Sequence, residues 1–66
     1  MENEKKSQDS NFGISNSKYK YLIKYENYRP TFGDISKAMR FTRYEAYDMF
    51  NELERKGYSD LTVDSI

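Results

Sequence analysis

The side chains best equipped to recognise another macromolecule lie between Thr42 and Asn51. Arginine, asparagine and aspartate side chains each match a different base edge in the major groove: Arg43 fits guanine, Asn51 adenine and Asp48 cytosine. Each good bidentate contact contributes about 1–3 kcal/mol of discrimination. The tyrosines here can touch phosphate or a thymine methyl group. The side chains of this segment that could make such contacts are Thr42, Arg43, Tyr44, Tyr47, Asp48 and Asn51.

Basic side chains dominate the stretch just before this segment. Residues 18–43 contain seven basic and two acidic groups, a net charge of +5. Lysine and arginine supply nonspecific affinity for nucleic acid by neutralising phosphates. The predicted phosphate contacts are Lys18, Lys20, Lys24, Arg29, Lys37 and Arg40.

Acidic side chains dominate the stretch that follows, and they favour a different ligand. Residues 44–66 contain six acidic and two basic groups, a net charge of −4, and residues 1–17 contribute −1. The acidic groups of the predicted helix 43–56 are Glu45, Asp48, Glu52 and Glu54. These carboxylates work against phosphate binding, so a protein-binding acidic face is the alternative hypothesis.

Two capping boxes predict where two helices begin. Thr31 with Asp34 forms T-x-x-D, and Thr42 with Glu45 forms T-x-x-E, in which the hydroxyl accepts from an early backbone amide. The sequence therefore predicts a second helix over Phe32–Met39 and a third over 43–56.

An apolar stripe supports the third helix, and a glycine marks its end. The stripe has a spacing of three and four residues, typical of one helix face, and it consists of Ala46, Met49, Phe50 and Leu53. Gly57 can adopt the left-handed conformation of a Schellman motif, with Tyr58 packing back on Leu53. Helix three is therefore predicted to stop at Lys56.

A first helix is predicted from Ser15 or Ser17 to about Asn27, because Tyr19, Leu22 and Ile23 follow helical spacing. Pro30 ends this region, since proline disfavours helical geometry at the residue before it.

The two ends of the chain are predicted to differ. Residues 1–13 are polar and of mixed charge, which predicts a flexible tail ahead of one domain, 14–66. Near the other end, Leu61 and Val63 alternate with polar residues and predict one strand. That strand would pair with Phe12–Ile14 or with another copy of itself.

Together these elements predict a mainly α domain: a three-helix helix-turn-helix with one short C-terminal strand. The sequence resembles the amino-terminal DNA-binding domain of the LexA repressor and related winged helix-turn-helix regulators. The resemblance covers roughly residues 18–62 and depends on Pro30-Thr31, Asp34-Ile35-Ser36-Lys37-Ala38-Met39 and Leu53-Glu54-Arg55-Lys56-Gly57-Tyr58. It implies that helix three enters the major groove and that Thr42, Arg43, Tyr44, Tyr47, Asp48 and Asn51 face the bases. The turn is about one residue shorter than in LexA, the wing is truncated, and no protease domain follows.

Composition excludes most catalytic chemistry. The chain has no cysteine and no histidine, so a thiolate metal site and the usual general base are absent. We therefore expect no enzyme, metal, cofactor or small-molecule substrate. No apolar run predicts a signal peptide or membrane span, so we expect a cytoplasmic protein. Because 66 residues bury little surface, a homodimer is expected to add stability.

The leading hypothesis is a small regulator of transcription, such as a repressor from a phage, plasmid or bacterial chromosome, that binds double-stranded DNA through helix 43–56. The alternative is a protein-interaction module, for example an antirepressor, that binds another regulator through the acidic face of helix three.

Overall fold

The protein is a four-stranded antiparallel sheet with one α-helix packed on it. The computed structural model describes residues 10–66. Strands β1 (Phe12–Ser15), β2 (Tyr21–Glu26) and β3 (Arg29–Gly33) come first. A 3-10 turn (Ile35–Lys37), the helix α1 (Arg43–Arg55) and strand β4 (Thr62–Ser65) follow. The strand order is β3-β2-β1-β4.

The prediction of a mainly α, three-helix domain is therefore wrong. Of the three predicted helices only the third forms, and residues 10–66 contain no helix-turn-helix. Pairing between distant segments replaces the first two helices, and local helical spacing is a weak preference that such pairing overrides.

The segment predicted as helix one contains a β-turn and strand β2 instead. The pairing of β2 with β3 shifts register between Leu22 and Lys24, which places a β-bulge at Ile23. Without the bulge, Leu22 and Tyr25 would point to opposite faces of the sheet. Both instead belong to the apolar core. The residues predicted to form one helical stripe do not share a surface: Tyr19 is exposed in the turn, Leu22 is buried in the core and Ile23 lies against Gly33.

The segment predicted as helix two forms β3 and the 3-10 turn. Thr31 lies in β3 opposite Lys24, so its hydroxyl is not a helix cap. The residue that caps the 3-10 turn is Asp34, whose carboxylate accepts from the Ser36 amide at 3.0 Å. Beyond this turn the Met39 amide donates to the Leu22 carbonyl at 2.8 Å, so the chain is extended where a helix was predicted.

The predicted start of helix three is confirmed. Thr42 is the N-cap of α1: its Oγ1 accepts from the Glu45 amide, and the Glu45 carboxylate accepts from the Thr42 amide. This is the reciprocal capping box expected from the sequence.

The predicted end of helix three is confirmed as a Schellman motif. Gly57 has φ +99° and its amide donates to the Glu54 carbonyl, while the Tyr58 amide donates to the Leu53 carbonyl. The regular helix ends at Arg55, with Lys56 as its C-cap.

The predicted terminal strand is β4, and it pairs with β1 in the same chain. Ile14 lies opposite Val63 and Phe12 opposite Ser65, so the proposed partner Phe12–Ile14 is confirmed. Of the segment predicted as a flexible tail, residues 1–9 lie outside the described residues, and Phe12 and Gly13 belong to β1.

The core lies between the sheet and α1. Its buried members come from β1, β2, α1 and the segment before α1: Ile14, Leu22, Phe41, Ala46 and Leu53. Two main-chain hydrogen bonds of 2.8 and 3.0 Å join Phe41 to Phe12 and fix the approach to α1. No helix among residues 10–66 is long and apolar enough to cross a bilayer.

The opposite face of the sheet carries no helix among the described residues. The side chains of Tyr21 and Ile66 lie against Gly13, and that of Ile23 lies against Gly33. Ser15 donates to the Asp64 carboxylate at 3.1 Å. We call this surface the open face.

Candidate functional site

A groove of about 580 Å³ runs along one side of α1. Its helix wall consists of residues spaced by three and four, which share one side of a helix. The opposite wall comes from β2 and from the segment that leads into α1. The lining residues are Tyr25, Arg40, Phe41, Glu45, Asp48, Met49 and Glu52. We call this the α1 groove.

The floor of the α1 groove is apolar. Phe41 is 8% exposed, and Met49 and the Tyr25 ring pack against the core. Covering such a floor with an apolar side chain stabilises a complex by about 25 cal/mol per Å² removed from water. The groove therefore offers an apolar anchor site beneath charged walls.

Two of the three carboxylates in the groove have intramolecular partners. Glu45 accepts from the Thr42 amide in the capping box. Glu52 accepts from the Tyr25 hydroxyl at 3.1 Å and from Arg55 Nη2 at 3.0 Å, and its Oε2 lies 3.5 Å from Lys56 Nζ.

These contacts change the acidity of the groove. The Tyr25 hydrogen bond, with Arg55 and Lys56, lowers the pKa of Glu52 from its ordinary value. Burial raises the pKa of Tyr25, and the neighbouring Glu52 carboxylate raises it further. Near neutral pH, Glu52 is therefore ionised and Tyr25 keeps its proton.

The third carboxylate, Asp48, has no hydrogen bond or ion pair with any of residues 10–66. It is exposed at the rim of the groove. The cation among the lining residues is Arg40, whose Nη1 donates to the Ile66 carbonyl at 3.4 Å. Three carboxylates and one guanidinium line the groove, and Arg55 and Lys56 offset the charge of Glu52, so Asp48 is the carboxylate that is left for a ligand.

The predicted base-facing residues are divided between the exposed flank of α1, its N-terminus and the groove. Thr42 is half-buried in its capping role, and the Arg43 guanidinium lies 5.6 Å from the centre of the Phe12 ring. Tyr44, Tyr47 and Asn51 are exposed on the side of α1 away from the groove, with Tyr44 84% exposed. Of the six residues, Asp48 lines the groove.

The predicted phosphate contacts are also divided. Lys18 and Lys20 flank the turn between β1 and β2, and Lys37 lies in the 3-10 turn. Lys24 on β2 lies 3.7 Å from Glu26, Arg29 begins β3, and Arg40 lines the α1 groove. The expected basic surface on helices one and two does not exist, because those helices are absent.

Sequence reasoning missed the groove, although part of its pattern was visible. Glu45, Asp48, Met49 and Glu52 have the spacing of one helix side within the helix that was predicted. Tyr25 and Phe41 complete the site only because β2 lies beside α1, and no local pattern indicates that neighbour.

Metal-binding side chains are not clustered in the part of the chain that the structure describes. Comparisons of the chain with protein-family models, with curated proteins and with solved structures give no match. The candidate site is therefore argued from its geometry alone.

Proposed function

We propose that the chain is a cytoplasmic protein-interaction module whose α1 groove binds a basic segment of another protein, such as a regulator. The observation that carries this proposal is the unpaired Asp48 carboxylate at the rim of an apolar floor. A ligand that fits carries a lysine or arginine next to an apolar side chain.

Charge complementarity supports this ligand. Asp48 lies in the groove without a partner, and residues 44–66 have a net charge of −4. Such a field attracts cationic partners and repels anionic ones. Phe41 and Met49 then supply the apolar contact that charge alone does not give.

The walls of the groove are also ordered before a ligand binds. The Tyr25 ring is held by the hydrogen bond from its hydroxyl to Glu52, and α1 is fixed by its capping box. Binding to a site that is already ordered costs less conformational entropy than binding to a loose one.

A peptide-display selection on the immobilised chain, followed by affinity measurements on wild type and Asp48→Asn, tests the proposal. We expect the selected peptides to pair lysine or arginine with an apolar residue. Asp48→Asn should weaken their binding about tenfold, because it removes a charged hydrogen-bond acceptor while keeping its shape.

Glu54→Gln, on another side of α1, is the matched control and should change the affinity for these peptides little. Equal affinity for wild type and Asp48→Asn would exclude the groove.

A second candidate is binding of double-stranded DNA through the exposed flank of α1, favoured by the exposure of Arg43, Tyr44 and Asn51. Gel shifts at low and moderate salt separate the two candidates. DNA binding requires salt-sensitive retention that is lost in Arg43→Ala. Peptide binding requires that Arg43→Ala leave affinity unchanged.

A further inference from the structure

Tyr19 projects from the turn between β1 and β2. Its side chain is 89% exposed, although a tyrosine ring is mostly apolar. Its backbone has φ +60°, in the left-handed region that asparagine and glycine adopt more readily. A bulky residue in this conformation, with its ring in solvent, has no role in the core.

Asn16 holds this turn in place. Its Oδ1 accepts from the Lys18 and Lys20 amides, both at 3.0 Å. Its carbonyl accepts from the Tyr19 amide at 3.0 Å, and its amide donates to the Lys20 carbonyl at 2.9 Å. The backbone from which the Tyr19 side chain projects is therefore held by the fold before any ligand arrives.

Lysines lie on both sides of Tyr19 in the chain. Lys18 and Lys20 flank Tyr19 and are exposed. The 3-10 turn adds Lys37: hydrogen bonds from Ser36, with Lys20 and Lys37 close by, lower the pKa of Asp34, so both lysines lie near this carboxylate. Three lysines and one aspartate give this cluster a formal charge of +2. We call Lys18–Lys20 with Lys37 the Tyr19 tip.

The open face continues from the tip along β2. On this face Tyr21 lies over Gly13 and Ile23 lies over Gly33, and both side chains are half-buried. Neither glycine has a side chain that would separate Tyr21 from Ile23. Lys24 follows and is exposed. At about 3.3 Å per residue, the strand rises by about 10 Å from Tyr21 to Lys24, so aromatic, apolar and basic groups follow one another along β2 from the turn onward.

We propose that the Tyr19 tip and the adjoining part of the open face bind single-stranded nucleic acid. An exposed ring offers a surface on which an unpaired base stacks, and lysines in line with it neutralise successive phosphates. A linear array suits a linear polymer. This surface lies apart from the α1 groove, whose acidic walls repel phosphate.

Fluorescence anisotropy with labelled oligonucleotides of about ten nucleotides tests the proposal on the full chain. Separate arms use single-stranded DNA, single-stranded RNA of the same sequence, and the DNA duplex. We expect single strands to bind more tightly than duplex. Whichever of single-stranded DNA and single-stranded RNA binds with higher affinity is assigned as the ligand.

Tyr19→Asn is the decisive variant, because asparagine accepts the left-handed backbone and the variant keeps its fold. It should weaken single-strand binding about tenfold, as expected from loss of one stacked base, while Tyr19→Phe retains binding. Tyr44→Ala, which removes an equally exposed ring on α1, is the matched control. Lys18→Ala with Lys20→Ala should reduce the logarithmic salt slope by about 1.4, whereas Arg43→Ala should not.

Three results would overturn the proposal. The first is equal binding by wild type and Tyr19→Asn, and the second is duplex binding as tight as single-strand binding. The third is Tyr19-dependent binding to vesicles containing anionic lipid with none to oligonucleotides, which would assign the tip to a membrane surface.

Discussion

At the scale of single residues, Glu52 connects the helix to the sheet. Its carboxylate meets the Tyr25 hydroxyl from β2, and Arg55 and Lys56 from the end of α1. The lowered pKa of Glu52 means that its contribution to stability is present above the ordinary glutamate pKa of about 4.5. That contribution is lost as pH falls through the lower pKa of the folded protein.

Tyr25→Phe should raise the pKa of Glu52 toward its ordinary value, because it removes the hydrogen bond that contributes most to the shift. We expect the variant to be less stable than wild type at neutral pH, with the difference shrinking as pH falls below about 4. Urea unfolding from pH 7 to pH 3 and NMR titration of the Glu52 carboxyl measure both effects. Tyr21→Phe is the control. A stability difference that does not change with pH would contradict the assignment.

The raised pKa of Tyr25 has the opposite sign of pH dependence. Its contribution is present below the ordinary tyrosine pKa of 10.0 and is lost as pH rises through the higher value of the folded state. Wild type should therefore lose this part of its stability only in strong alkali.

At the scale of elements, the sequence predicted local structure well where local bonds decide it. Thr42 and Glu45 form hydrogen bonds with each other, and Gly57 adopts a left-handed backbone conformation at the end of the helix. These features depend on neighbouring residues only, so both ends of α1 could be predicted from the sequence. The prediction of helix one was wrong because a turn and a bulged strand place Tyr19, Leu22 and Ile23 on different surfaces despite their helical spacing. The prediction of helix two was wrong because a T-x-x-D pattern does not exclude a strand at Thr31.

Part of the candidate site was predictable for the same reason. The acidic side of α1 follows from helical spacing, and it underlay the protein-binding alternative. Tyr25 and Arg40 reach the groove through the packing of α1 on the sheet, which depends on contacts between distant segments. The Tyr19 tip was hidden because the sequence placed Tyr19 on an inward helix face.

The two predicted capping threonines provide a test at this scale. Thr42→Ala should destabilise the protein by about 1 kcal/mol and lower its Tm by about 5 °C, because an N-cap hydrogen bond is lost. Thr31→Ala, an exposed strand position, should change stability by less than about 0.5 kcal/mol. Thermal unfolding followed by circular dichroism measures both. Equal effects would indicate that Thr31 also caps a helix.

At the scale of the whole molecule, charge separates two surfaces. Three of the six acidic groups of residues 44–66, Glu45, Asp48 and Glu52, line one side of α1, and Lys18, Lys20 and Lys37 belong to the Tyr19 tip. The net charge of zero conceals this division. If both proposals hold, we expect the protein to bind a basic segment and a polyanion at the same time.

Closure of the fold depends on its last strand. Strand β4 covers the outer side of β1, Val63 packs on the core, and the Ile66 amide donates to the Asn11 carbonyl at 2.6 Å. A chain ending at Leu61 should therefore lose cooperative unfolding, since the stability of a small domain is only about 5–15 kcal/mol. Urea titration followed by circular dichroism measures this. Thr62→Ala is the control and should unfold cooperatively, whereas an unchanged transition in the shortened chain would show that β4 is dispensable.

The two edge strands of the sheet are not equivalent. Pro30 lies in the edge strand β3, and proline has no amide hydrogen to donate to an incoming strand. Among residues 10–66, the other edge strand, β4, contains no proline. Extension of the sheet is therefore favoured at β4 only. Two copies that paired through β4 would leave no second favourable edge on either copy, so assembly would stop at a dimer and fibre growth would be suppressed.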